Sequence, residues 1–345
     1  MSPIFSRETL SLSKPSLRGI LYFLLTIPFV LLAAEIVART SIGSLLPAPS
    51  VEADSFLFDA KIYALERQVQ KNGRLDCLFI GSSVSNSDID PDLVEQTYFA
   101  QTGETIHCFN LGIPALTLKN TTVIADAVIA RFRPKVIIYA LLPRDINDVT
   151  ANVDYLENID WITYNQGYPS LNGWLVNHSY GWRYFLTWRY QLIQKNRAKM
   201  AEDTLWLTGK GFQPAQGFRV PYIPNPTMTP ERLRGAWNDP ARAKSLERFL
   251  ALREKGVTIV LLEGPAYHEP DQSDAETWQV YQSDYLPNLL DILESNDIPF
   301  WRTEEISIQI PKASWYDWLH LNSVGAKTFS QWLGEMMAEN KWLFE

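Results

Sequence analysis

The chain has 345 residues, of which 46 % are hydrophobic and 12 % aromatic, and its 39 acidic and 31 basic side chains give a formal net charge of −8. This composition excludes wholesale disorder, and the acidic balance argues against a nucleic-acid binder, which would present a basic face. The two cysteines are too few for a disulfide-dense scaffold or a multi-cysteine zinc module, and the length fits two average domains or one large α/β domain.

The first element along the chain is a long apolar segment. Residues 19–34 carry no charge, and with Glu35 allowed the segment extends to residue 38. A helix needs about 20 such residues to span a bilayer, so we predict a transmembrane anchor over residues 19–38, after a tail over residues 1–18. A buried core helix and a cleaved signal peptide are the alternatives, but no polar face interrupts the segment and no clean cleavage site follows it.

The charges before this segment predict its orientation. Arg7, Lys14 and Arg18 stand there against the single acid Glu8, and the positive-inside rule then places the N-terminus in the cytoplasm. The prediction is a single-pass membrane protein whose main domain is extracytoplasmic, in the periplasm or at the cell surface. The exported part carries a net charge of −10, with no basic patch for nucleic acid. A cytosolic protein with a buried N-terminal helix is the competing interpretation.

After a linker and lead-in helix over residues 39–70, short apolar runs alternate with amphipathic stretches. The runs predict buried strands, which cover residues 75–80, 105–111, 135–142, 257–262 and 298–301. Periodicity and capping residues predict helices between and after them, over residues 115–132, 239–255 and 323–341. We therefore predict an α/β domain over residues 71–345, a three-layer sandwich around a mostly parallel five-stranded sheet. The active site of such a sheet lies at the carboxyl ends of the strands.

Residues 150–230 break this alternation and are rich in aromatic side chains. The segment contains five tryptophans together with many tyrosines and Asn/Gly turns. We interpret it as an inserted, partly helical cap. Its aromatic side chains either form a satellite core or stack against sugar rings.

Small residues follow the first two predicted strands. Ser82 and Ser83 come directly after Gly81, where a hydroxyl would lie at the carboxyl edge of the sheet beside backbone N–H groups that can face an oxyanion. Gly112 follows the second strand and could present its N–H to the same oxyanion. A helix-capping serine and a turn glycine are the structural alternatives. Cys77 and Cys108 each lie four residues before these glycines, and we expect buried free thiols there rather than a disulfide, although an exported domain would allow one.

The strongest chemical signal lies near the C-terminus. Asp317 and His320 are three residues apart in a loop just before the last predicted helix, a spacing that lets the carboxylate hold Nδ1 of the imidazole. Nε2 of His320 is then free to accept a proton from a serine. Of the four histidines, this one alone combines such a carboxylate with a predicted place at the sheet edge.

These motifs, in this order, resemble the blocks of the SGNH/GDSL hydrolase superfamily over about residues 75–340. The resemblance implies that Ser83 is the nucleophile, that Gly112 and the Ser83 N–H line the oxyanion hole, and that Asp317 and His320 complete the triad. Two positions depart from the family pattern. Ser82 stands where the family usually has Asp, and after the third strand Arg144 takes the place of the Asn that completes the oxyanion hole. Asn147 follows three residues later and is the second candidate for that role.

The pairing of a Ser-Ser first block with a Pro-Arg-Asp third block resembles most the membrane-anchored envelope members of the superfamily. These are similar to the D-alanine transfer proteins of teichoic-acid D-alanylation (DltD-like) and to the alginate O-acetylation proteins. The resemblance implies a serine esterase or O-acyltransferase that acts on acyl esters of a cell-envelope polysaccharide, beside a multi-span membrane acyltransferase. Asp145, Tyr267 and His268 are the candidate substrate contacts. No metal or cofactor is predicted, and a non-catalytic, polysaccharide-binding scaffold of the same fold is the alternative.

Overall fold

The computed structural model describes residues 17–40, 47–51, 55–146, 156–194, 202, 204–217, 229–238, 240–267 and 275–344. At its centre is a five-stranded, all-parallel sheet with the strand order β2-β1-β3-β4-β5. The strands are β1 (Cys77–Gly81), β2 (Cys108–Asn110), β3 (Val136–Leu141), β4 (Thr258–Glu263) and β5 (Phe300–Trp301). The predicted α/β class and parallel five-stranded sheet are therefore confirmed.

In the sequence, the strands are continuous apolar runs because both faces of the sheet are covered by other elements. Leu78 and Ile80 of β1 pack into one hydrophobic core, whereas Cys77 and Phe79 pack into a second core on the opposite face. Alternate side chains of a strand point to opposite faces, so an apolar residue is needed at nearly every position. Two separate cores on either side of the sheet are consistent with the predicted sandwich.

Helices surround this sheet on both faces. Before β3 they are α1 (Leu17–Arg39), α2 (Phe56–Asn72), α3 (Ser83–Asp88), α4 (Pro91–Thr102) and α5 (Leu118–Phe132). Between β3 and β4 follow α6 (Pro143–Ile146), α7 (Asp160–Asn165), α8 (Leu171–His178), α9 (Tyr180–Gln194), α10 (Pro230–Gly235) and α11 (Pro240–Leu250). The remainder are α12 (Ala275–Val280), α13 (Leu286–Ser295), α14 (Glu304–Gln309) and α15 (Ser323–Glu339).

The last long helix shows how the sequence positions these elements. The side chain of Asn322 accepts hydrogen bonds from the N–H groups of Val324 and Gly325, which caps α15 directly after the motif that contains His320. Phe329 and Leu333 then point into the core that α15 shares with α4. The cap fixes where the helix starts, and it thereby fixes the loop that precedes it against the sheet edge.

The two cysteines form a disulfide, which corrects the expectation of free thiols. Cys77 and Cys108 are direct partners in the register of β1 and β2, and their Cα atoms lie 4.5 Å apart. The spacing of the two cysteines in the sequence does not reveal that the strand register makes them direct neighbours.

The described part of the predicted cap contains both buried and exposed aromatic residues. Trp161 is fully buried and packs between the rings of Phe58 and Phe132, so it belongs to the main core. Trp174 and Trp188 are about half exposed. A satellite core therefore accounts for only part of this aromatic content.

Helix α1 contacts the rest of the protein through its C-terminal end. Glu35 accepts hydrogen bonds from the hydroxyl of Ser179 and from the N–H groups of Tyr180 and Gly181, at the start of α9. Arg39 donates to the carbonyl of His178. Within the part of the chain that the structure describes, no helix was found to be long and apolar enough to cross a membrane.

Candidate active site

Ser83 is the first residue of α3, and only Ser82 separates it from the end of β1 at Gly81. The turn between them requires a glycine, because Gly81 has a φ of +145° and a Cβ there would lie 2.5 Å from Ser85 Oγ and 3.0 Å from the carbonyl of Ala140. Ser85 in turn donates its hydroxyl to the carbonyl of Ile80. The nucleophile candidate is thus held half-buried at the carboxyl edge of the sheet, as its position after a buried strand predicts.

The structure brings the three predicted triad residues together. His320 Nε2 lies 2.7 Å from Ser83 Oγ, and His320 Nδ1 lies 2.9 Å from both carboxylate oxygens of Asp317. Oδ1 of Asp317 also accepts the N–H groups of Leu319 and His320, at 2.9 Å each. This local turn, which Asp residues favour, fixes the loop so that the ring points at the serine.

Electrostatics in this group favour a positively charged imidazole. Burial by itself would lower the pKa of His320, but the hydrogen bond to Asp317 outweighs it and raises the pKa, together with the negative charge of Asp317 and, where Asp88 is ionised, that of Asp88. Burial would also raise the pKa of Asp317, yet its bonds to His320 and to the backbone lower it overall. The aspartate therefore stays ionised and stabilises the imidazolium that forms when the ring accepts a proton.

A second carboxyl group lies behind these three residues, and the sequence patterns did not predict it. Asp88, the last residue of α3, is fully buried, and its Oδ1 accepts the N–H of Leu321 at 3.0 Å and the hydroxyl of Ser87 at 2.8 Å. Its Oδ2 has no hydrogen-bond partner among the described residues. Burial raises the pKa of this carboxyl group to about 8. Asp88 thus ties α3, the helix that begins with Ser83, to the residue that follows His320.

The structure places Gly112 against α3, but its N–H is already engaged. That N–H donates to Asn110 Oδ1 at 2.9 Å, while the Asn110 amide donates to the carbonyls of Ser85 and Ile89. The carbonyl of Gly112 accepts the ammonium of Lys61 at 2.6 Å. An oxyanion would therefore have to displace Asn110 before it could use the Gly112 N–H.

Lys61 is the other buried ionisable group that sequence reasoning missed. It lies on α2, is fully buried, and burial lowers the pKa of its amine well below the usual value. Its hydrogen bond to Gly112 connects the lead-in helix to the second motif. No local spacing in the sequence points to this contact, since the two residues are 51 positions apart.

Arg144, the residue after Pro143, lies near His320. Its charge opposes protonation of the imidazole and so acts to lower the pKa of His320, and its Nε lies 3.5 Å from Asp145 Oδ1. Asp145 itself is buried and accepts the N–H of Leu142 at 2.9 Å, and burial raises its pKa to about 6. The side chain of Asp145 thus holds the β3–α6 turn and Arg144, and its predicted contact with substrate stays a prediction.

The remaining candidates follow β3 and β4. Tyr267 lies at the same edge, where its N–H donates to the carbonyl of Trp318 at 2.8 Å and its ring packs against Trp315. It therefore contacts the loop that carries Asp317 and His320. Asn147 and His268 lie outside the described residues, so their predicted roles stay predictions.

The geometry can support acyl transfer through a serine. A hydroxyl, an imidazole and a carboxylate are aligned within hydrogen-bond reach, which is the arrangement that activates a serine nucleophile. In the described part of the chain, no group of three or more His, Cys, Asp or Glu side chains is placed to hold a metal ion.

No protein-family model matches the chain, and no curated protein matches it significantly. The assignment of a function therefore depends on the residues and on their geometry.

Proposed function

We propose that the protein is a serine esterase or O-acyltransferase of SGNH type. The observation that carries this proposal is the contact of 2.7 Å between Ser83 Oγ and His320 Nε2, with Asp317 on the other ring nitrogen. A serine that only caps a helix has no need of a histidine and a carboxylate in line with its hydroxyl. Ser83 and His320 are 237 positions apart in the chain. That the fold brings them into contact supports a catalytic purpose for this contact.

In the proposed reaction, Ser83 Oγ attacks the carbonyl carbon of an ester while its proton passes to His320 Nε2. The electron pair of the carbonyl π bond moves to oxygen, and the N–H of Ser83 and the guanidinium of Arg144 stabilise this oxyanion. The bond to the alcohol oxygen then breaks, and that oxygen takes the proton from His320. An acyl-serine is left. Water or a sugar hydroxyl attacks it by the same route, and Ser83 regains its proton.

The proposed substrate is an acyl ester of a cell-envelope polysaccharide or similar carbohydrate, handled outside the cytoplasm. The disulfide between Cys77 and Cys108 supports an oxidising compartment. The apolar segment over residues 19–38 supports attachment to a membrane with the N-terminus in the cytoplasm. A membrane-bound acyltransferase is the proposed partner where a sugar hydroxyl, rather than water, accepts the acyl group.

A fluorophosphonate probe tests the catalytic proposal, because it labels only activated serines. We expect the full chain to be labelled, and Ser83→Ala and His320→Gln to abolish labelling. Ser323→Ala is the matched control, since Ser323 is exposed and lies three residues from His320. Equal labelling of the wild type and Ser83→Ala would contradict the assignment of the nucleophile.

One observation favours a second candidate, a non-catalytic scaffold that binds polysaccharide. The N–H of Gly112 is committed to Asn110, which would leave the oxyanion hole short of a donor. Absence of labelling in the wild type, together with binding of an acylated polysaccharide that is unchanged in Ser83→Ala, would support the scaffold over the enzyme.

A further inference from the structure

A pocket lies where the C-terminal end of α1 meets α2 and the start of α9, and the mechanism above does not use it. Its cavity volume is about 250 Å³, far more than the roughly 10–15 Å³ that one water molecule needs. The residues that line it include Arg39, Thr40, Tyr63, Arg67, Gln70 and Tyr180. We refer to it as the arginine pocket.

Both charged residues of the arginine pocket are basic, and none of the described residues that line it is acidic. Nε of Arg39 lies 2.7 Å from Glu35 Oε1, and its Nη2 donates to the carbonyl of His178 at 2.7 Å. Its Nη1 takes part in neither bond. Arg67 donates from Nη1 to the hydroxyl of Tyr63 at 3.1 Å, and no described carboxylate forms an ion pair with it. The pocket is therefore a site of positive charge in an exported part that is acidic as a whole.

Aromatic rings hold both guanidinium groups in place. Cζ of Arg39 lies 5.0 Å from the centroid of the Tyr180 ring, and Cζ of Arg67 lies 5.6 Å from that of Tyr63. The two tyrosine rings contact each other edge to face, with their centroids 5.9 Å apart. The guanidinium groups are thus oriented before a ligand arrives, and their planar N–H donors match the oxygens of a phosphate group.

The proposed membrane attachment places this pocket at the level of lipid phosphates. A helix over residues 19–38 is about 30 Å long, which is the thickness of the hydrocarbon core of a bilayer. Arg39 is the next residue, so the pocket lies just outside this core. Trp174 and Trp188 on α8 and α9 are exposed, and tryptophan is enriched at the membrane interface. Trp174 stacks on the ring of His178, 5.1 Å away, whose carbonyl accepts the bond from Arg39.

We propose that the arginine pocket binds the phosphate head group of an anionic phospholipid from the membrane that α1 enters. This inference rests on the membrane attachment in the proposed function and adds a lipid ligand to it. The phosphate oxygens accept hydrogen bonds from the guanidinium groups of Arg39 and Arg67. Because Arg39 belongs to α1 and Arg67 to α2, one phosphate joins the apolar segment to the α/β domain and fixes how the domain sits on the membrane.

Native mass spectrometry of the full-length protein, released from detergent, measures this binding. The probes are dioleoylphosphatidylglycerol, which is anionic, and dioleoylphosphatidylcholine, whose head group carries its own cation. We expect one phosphatidylglycerol per chain, bound at least about tenfold more tightly than phosphatidylcholine, because the second cation is repelled by the two arginines. Arg67→Gln should weaken the binding of phosphatidylglycerol by at least about tenfold, the loss expected for one hydrogen bond between charged groups.

A second variant tests the same pocket and keeps Arg67. Gln70→Glu adds a carboxylate to the lining, and it should also weaken the binding of phosphatidylglycerol, because this carboxylate pairs with a guanidinium in place of the lipid phosphate. Lys327→Gln is the matched control. It removes one positive charge from an exposed side chain of α15, and α15 packs on the opposite face of the sheet from α2.

The outcomes separate a lipid from other ligands. Binding of phosphatidylglycerol that falls in Arg67→Gln and Gln70→Glu and stays in Lys327→Gln supports the inference. Equal binding of the two lipids, or unchanged binding in Arg67→Gln, overturns it. Displacement of phosphatidylglycerol by inorganic phosphate at the same concentration would show that the pocket takes soluble phosphate, and it overturns the lipid as the ligand.

Carbonate extraction of membranes from cells that express the full chain separates this inference from the attachment on which it rests. A chain that carbonate releases loses the proposed membrane attachment, and the inference with it. A chain that stays in the membrane but shows no preference for phosphatidylglycerol loses the inference alone, and the proposed attachment stands.

Discussion

The buried carboxyl group of Asp88 should make the stability of this protein fall as the pH rises, and a single substitution should remove this dependence. Burial raises the pKa of Asp88 to about 8, whereas an aspartate in an unfolded chain has a pKa of about 3.9. Between these two values the folded protein keeps a proton that the unfolded chain releases. The stability that this proton provides is complete below the unfolded pKa and is lost as the pH rises towards 8.

The magnitude follows from the width of this window. Each unit of pH between the two pKa values lowers the free energy of unfolding by about 1.4 kcal/mol. Asp88→Asn has no proton to lose, and its amide takes the place of an oxygen that has no partner among the described residues. Relative to the wild type, the variant should therefore gain about 4 kcal/mol of stability between pH 5 and pH 8.

Urea unfolding of the wild type and Asp88→Asn at pH 5, 6.5 and 8 measures this difference. Asp284→Asn, at an exposed site on the surface, controls for the loss of one negative charge. A stability difference between Asp88→Asn and the wild type that stays constant across this range would refute the reasoning. So would a difference that shrinks as the pH rises, because that would show a carboxylate which is ionised and stabilising.

Three further outcomes follow from the same structure. Replacing Cys77 and Cys108 together by alanine should cost about 3–4 kcal/mol in urea unfolding, because the disulfide closes a sequence separation of 31 residues, and an unchanged midpoint would contradict the bond. Gly112→Ala should cost about 1–3 kcal/mol and reduce fluorophosphonate labelling, since its Cβ would lie 2.4 Å from the backbone nitrogen of Asn86. Ester hydrolysis should fall as the pH drops through a pKa above the ordinary 6.5, because His320 must be neutral to accept a proton and its pKa is raised; a profile flat down to pH 5 would exclude His320 as the base.

Much of the fold follows from local sequence patterns, and the limits of those patterns are visible in β2. The apolar run predicts a strand over residues 105–111, but the ladder covers only Cys108–Asn110. The N–H of His107 is taken by the side chain of Asp76, and the N–H of Cys108 by the side chain of Glu95. Apolar periodicity reports which residues are buried, and it carries no information about a carboxylate from another element that takes over a backbone donor.

The same distinction holds at the candidate site. Asp317 and His320 are predictable because their spacing places both in one turn, and Ser83 because it follows a buried strand. Asp88 is not predictable, since it bonds to the N–H of Leu321, which is 233 residues away in the chain. In the sequence, Lys61 resembles an ordinary lysine on a helix surface. In the fold, its amine is buried and contacts the carbonyl of Gly112. Contacts between distant segments decide the function of such residues, and composition or spacing cannot reveal them.

Together, these contacts between distant segments fix the short helix α3, which begins with Ser83, from three sides. Asn110 donates to the carbonyls of Ser85 and Ile89 and so holds α3 to β2, the hydroxyl of Ser85 holds it to β1, and Asp88 holds its last turn to the His320 loop. Buried polar groups are costly unless they are fully paired, and a helix of six residues could be packed with apolar side chains alone. Hydrogen bonds are directional, whereas apolar contacts are not. A serine that must stay aligned with an imidazole is therefore held better by hydrogen bonds than by apolar burial alone. The placing of these bonds around α3 is therefore the expected design for a preorganised nucleophile, and it gives the proposed esterase support that does not depend on the triad distances.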